Sequence, residues 1–67
     1  MNKLEVISDC AEVALIRIAQ IHPSVFPNGL YKTDNNDPGV THYTEEAQDE
    51  FNLIYDAIDA IFDEHNS

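Results

Sequence analysis

Thr44–Asn66, TEEAQDEFNLIYDAIDAIFDEHN, is the stretch that decides the fold. Ala47, Phe51, Ile54, Tyr55, Ile58, Ile61 and Phe62 recur at helical period and predict one apolar face of a single long helix. Thr44 suits the N-cap, and Glu45 and Glu46 occupy the first turn, where the helix dipole favours acids. No glycine or proline interrupts the run as far as Ser67. Eight residues of the stretch (Glu45, Glu46, Asp49, Glu50, Asp56, Asp59, Asp63, Glu64) are acidic, and none is Lys or Arg. Glu45, Asp49, Asn52, Asp56, Asp59 and Asp63 fall within about 80° of one another around the helix, opposite the apolar face. Acids on successive turns stand about 5.4 Å apart, comparable to the spacing of charges along a nucleic-acid strand. Soluble helices usually interleave Lys or Arg at i+4 for a small gain. Here Glu45/Asp49, Asp59/Asp63 and Glu46/Glu50 are all like-signed. The row costs folding energy, and a local feature that costs stability points to function.

Working outward, residues 3–20 are expected to form another helix. Asn2 serves as its cap and Glu5 as the capping-box partner. Leu4, Ile7, Cys10, Ala11, Ala14, Leu15, Ile18 and Ile21 share a broad apolar face, widened by Val6 and Val13. One neighbouring helix does not cover so wide an arc. Pro23 ends the helix, because the residue before proline is biased away from helical angles. The middle segment, HPSVFPNGLYKTDNNDPGVTHYT, holds all three prolines and both glycines. Its Pro27-Asn28-Gly29 and Asp37-Pro38-Gly39 are turn sequences. Residues 30–33 and 40–43 are expected to pair as a short hairpin across the DNNDPG loop, lying on the helices because a lone hairpin is marginal in water. Val25, Phe26, Leu30, Tyr31 and Val40 are the candidates to cover helix 1. The expected fold is a small α+β domain: helix, turn-rich β-hairpin or loop, helix, with the two helices packed antiparallel. An all-α arrangement is the fallback.

The chain has 67 residues, so it is expected to be one domain, and a domain this small is marginally stable. It has one cysteine, Cys10, which allows no intrachain disulfide and suits a reducing, cytoplasmic setting. An apolar helix face predicts a buried, inert thiol there. No secretory signal is expected from the first residues, and no apolar run approaches the roughly 18 residues of a membrane span. The formal charge is −10. Residues 1–32 balance Lys3, Arg17 and Lys32 against Glu5, Asp9 and Glu12, so the whole excess sits in residues 33–67.

Asp34, Asn36, Gly39 and Glu45 match positions one, three, six and twelve of an EF-hand calcium loop. Pro38 removes the fifth-position ligand, however, and the residues before the loop cannot form an entering helix, so a plain turn is expected. His22, His42 and His65 have no metal-ligand spacing with Cys10 or with one another. Neither a catalytic constellation nor a cofactor motif is present, and no metal site is expected. An acidic surface repels phosphate backbones and attracts basic protein surfaces. The sequence therefore points away from direct nucleic-acid or membrane binding. It points toward a small inhibitor or regulator that docks on a basic, nucleic-acid-binding protein through Glu45, Asp49, Asn52, Leu53, Asp56, Asp59 and Asp63, with Leu53 as apolar anchor. Small size, acidity and absent catalytic chemistry resemble in kind many phage and mobile-element proteins that block host nucleic-acid-handling factors, and nucleic-acid mimicry is the sharper form of this reading. The alternative is a homo-oligomerisation module, such as a homodimer, in which the acids only solubilise the surface.

Overall fold

The computed structural model describes residues 2–66 of the protein. Helix α1 (Lys3–Ile21) is followed by one 3-10 turn (Pro23–Val25), strands β1 (Tyr31–Thr33) and β2 (Thr41–Tyr43), and helix α2 (Glu45–Asn66). The strands pair antiparallel, with Tyr31 opposite Tyr43, Lys32 opposite His42 and Thr33 opposite Thr41. The helices are packed together. Lys3 meets Asp59 and Asp63 at one end, while Leu15 and Ala47 share a cluster at the other, so the helices run antiparallel.

Local chemistry accounts for each boundary. Asn2 caps α1, its side-chain oxygen accepting from the Leu4 N–H at 2.9 Å. The His22 N–H closes the helix on the Ile18 carbonyl at 2.7 Å, and Pro23 prevents continuation. Gly29 follows Phe26 in a tight turn and adopts φ 78, a left-handed conformation that other residues rarely accept. In the hairpin loop, Asp34 accepts from the Asn36 N–H at 2.8 Å and Asp37 from the Gly39 N–H at 3.1 Å. These are side-chain turns of the kind Asp favours. A His42 ring nitrogen lies 3.0 Å from the second Asp34 oxygen. That bond, aided by the Asn36 amide, holds the Asp34 carboxyl below its ordinary range. The carboxylate in the first EF-hand-like position is thus engaged in building the hairpin, and Glu45 begins α2.

Thr44 joins the hairpin to α2. Its N–H donates to the Leu30 carbonyl at 2.9 Å, and its hydroxyl donates to the Gly29 carbonyl at 2.7 Å. The same hydroxyl accepts from the Ala47 N–H at 3.4 Å, and the Thr44 carbonyl takes the first helical bond, from Gln48, at 2.8 Å. Thr44 is buried.

The core is small. Leu15, Phe26 and Ala47 form its centre, flanked by Ile18, Ala19, Leu30, Tyr43, Phe51 and Ile54. Ile7 and Ala11 are buried further along α1. The backbone measures 43 × 27 × 15 Å, a slab one helix thick. Three expectations fail on this geometry: Ile61, expected on the apolar face of α2, is exposed, and the other two concern the cover of α1. Phe26 is buried and Leu30 half-buried, but Val25, Tyr31 and Val40 are exposed and do not cover α1. Cys10 is also exposed. The seam toward α2 uses Ile7, Ala11, Leu15 and Ile18; Cys10 lies off it, on a flank that none of the described elements covers.

Candidate protein-binding face

The packing of Ala47, Phe51, Ile54, Ile58 and Phe62 toward α1 turns the acidic row of α2 outward. Glu45, Asp49, Asn52, Leu53, Asp56 and Asp63 are exposed and Asp59 is half-buried. The row is not uniform. Lys3 lies 3.3 Å from Asp59, hydrogen-bonds Asp63, and sits 5.8 Å over the Phe62 ring. The Asp63 hydrogen bond is the main cause that raises the Lys3 pKa. This corrects the expectation of a row that no cation offsets: its C-terminal end is offset. Sequence spacing does not reveal the pairing, because it joins residues nearly the full chain apart. Asn52 is also engaged, accepting from the Gln48 amide at 3.0 Å. The bare stretch is therefore Glu45, Asp49 and Asp56, which make no ion pair among the described residues.

At the start of the row, Asn28, Lys32, Thr44, Glu45 and Glu46 line a polar hollow of about 300 Å³. One Glu46 oxygen faces the Asn28 amide at 3.5 Å, and the other is buried without a partner.

An aromatic ladder borders the row. Tyr31 stacks on Tyr43 at 5.4 Å, Tyr43 on Phe51 at 5.5 Å, and Phe51 meets Tyr55 at 6.2 Å. Burial pushes the Tyr43 phenol pKa up, and the nearby Glu12 carboxylate adds to the shift. Tyr55, which periodicity places on the apolar face of α2, is half-buried beside Phe51, whereas Tyr31, expected to cover α1, stacks on Tyr43. The signal for the ladder was the mirrored placement of Tyr31 and Tyr43 about the loop, continued by Phe51 and Tyr55 four residues apart. Leu53 stands on the other side of the row, 64% exposed.

The site presents solvated carboxylates at helical spacing, able to bind cationic side chains. Among the described residues, no three His, Cys, Asp or Glu side chains are grouped to hold a metal ion, and no helix is long and apolar enough to cross a membrane. Compared with protein-family models, with curated proteins and with solved structures, the chain matches none.

Proposed function

We propose that the protein is a non-enzymatic, stoichiometric inhibitor or regulator. It docks the outward face of α2 on a basic surface of another protein, of the kind that otherwise holds nucleic acid. The observation that carries this is the bare row Glu45, Asp49 and Asp56, exposed and without an ion pair among the described residues, in a chain that does pair Asp59 and Asp63. The row weakens a fold with little stability to spare, and attraction to a basic partner explains its retention. The setting is cytoplasmic, which the exposed free thiol of Cys10 supports.

The test is retention of a basic protein from native cell extract by the immobilised full chain. Binding should be lost at about 1 M salt, where the Debye length is about 3 Å, and the captured protein should be released by nucleic acid. The triple variant Glu45→Gln, Asp49→Asn, Asp56→Asn should fold at least as stably and retain nothing. A partner held equally well by that variant and at high salt sinks the proposal.

A further inference from the structure

The flank of the slab away from the aromatic ladder carries exposed apolar side chains on both helices, with charges at its margins. The inner seam is marked by Ile7, Ala11 and Leu15 on α1 and by Ala47 and Ile54 on α2. Stepping from it by about 100° per residue places Cys10, Val13 and Ala14 of α1 on the same side as Leu53, Ala57 and Ile61 of α2. Val13 is 67% exposed and Ile61 55%. Along α1 the flank forms a shallow groove of about 460 Å³ lined by Asp9, Cys10, Val13, Ala14 and Arg17. We propose that this flank binds a second copy of the chain, slab on slab, to form a four-helix bundle.

Area is the first argument. The chain exposes 4962 Å², whereas a folded monomer of its 7.6 kDa exposes roughly 4,300 Å². The excess, about 700 Å², is close to the roughly 800 Å² that each partner contributes to a standard interface.

Charge complementarity is the second. Arg17 stands at the groove and makes no ion pair among the described residues. Lys3 lies level with Asp59 and Asp63, and Leu15 packs with Ala47, so Arg17 is level with the first turns of α2. A two-fold axis parallel to the helices keeps these levels and lays α1 antiparallel on α2 of the second copy. Arg17 then faces Glu50, and Cys10 and Val13 face Leu53, reciprocally in both halves. An axis across the helices would stack α2 on α2, whose charges on this flank, Glu50 and Glu64, share one sign. The bundle leaves the row Glu45, Asp49 and Asp56 outside but takes Leu53 into its seam, so the row stays open for docking and Leu53 no longer serves as its anchor.

Sedimentation equilibrium of the full chain from about 1 μM to about 1 mM should show the mass rising from 7.6 kDa to twice that value. Leu53→Glu and Val13→Glu each place a carboxylate in the apolar seam and should weaken association at least about tenfold. Both side chains are exposed in the single chain, so its circular dichroism should not change. Arg17→Glu should weaken the dimer, and Arg17→Glu combined with Glu50→Lys should restore it. Labelling of Cys10 by a thiol reagent should slow as the dimer forms. Added salt should tighten the dimer, since two chains of charge −10 repel. It should release a basic partner, and Val13→Glu should leave that partner bound. A monomer throughout, a dimer indifferent to both glutamate variants, or a dimer that loosens in salt overturns the proposal.

Discussion

Thr44→Val removes one hydroxyl and little else, since valine keeps the branched shape and opens no cavity. The hydroxyl serves two partners: it caps α2 through the Ala47 N–H and donates to the Gly29 carbonyl. Loss of an N-cap costs about 1 kcal/mol. A lost hydrogen bond costs a further ~0.5–1.5 kcal/mol, toward the lower end here because Gly29 is exposed and water can reach its carbonyl. The sum is about 1.5–2.5 kcal/mol, against a total that seldom exceeds roughly 3–5 kcal/mol in chains of this size. In urea, with a slope of roughly 1 kcal/mol per molar, the midpoint should fall by about 2 M. The melting temperature should drop by about 8–15 °C. Both are read by circular dichroism at one fixed protein concentration, because self-association stabilises the fold by mass action. Thr44→Ser keeps the hydroxyl and should recover most of the loss. A midpoint shift in Thr44→Val under about 0.5 M, or an equal loss in Thr44→Ser, refutes the role assigned to the hydroxyl.

Gly29→Ala meets no atom within 4 Å of its new Cβ, so its cost is the left-handed backbone alone, about 1–2 kcal/mol. Gly29→Asn should cost less, and urea midpoints of the pair decide. Cys10 should react with a thiol reagent in dilute native protein at the rate of a free thiol, since it is exposed; a rate limited by unfolding contradicts this. Asp34 has its folded pKa lowered from 3.8, so its contribution is present above that value and is lost as pH falls through the lower folded pKa. A carboxyl NMR titration of Asp34 should show the lowered pKa, and His42→Ala should bring it back toward the ordinary value. Lys3 has its pKa raised from 10.5, so its contribution is complete below that value and is lost as pH rises through the folded pKa. Stability in that alkaline window should fall less in Lys3→Met than in the parent.

Both helices, the cap at Asn2, the break at Pro23 and the start of α2 after Thr44 were legible because they depend on residues within a turn of one another. The hairpin was legible from its two Pro-Gly turns and the short runs between and after them. The extent to which the apolar arc of α1 would be covered was not. Periodicity tells which positions are apolar, whereas the cover depends on where the hairpin settles, and it settles on one flank only. Hence Cys10, expected inside, is outside. The acidic row was visible as spacing, but its division into a paired end and a bare stretch required the antiparallel return that brings Lys3 to Asp59 and Asp63. The aromatic ladder has no local sequence signature, because its members come from three elements.

The separation of charge between the helices governs how the molecule turns in a field. Within α1, Lys3 and Arg17 nearly balance Glu5, Asp9 and Glu12, leaving −1, while the eight acids of α2 leave −8 with His65 neutral. Both lie in a slab 27 Å wide and 15 Å thick, so the charge runs along one long edge and the molecule behaves as a dipole across its width. The potential of a basic surface would exert a torque on it before contact and bring it in edge-on, with α2 leading. Salt should then act mainly on the rate of encounter, and the lifetime of the complex should depend on the contacts made after arrival.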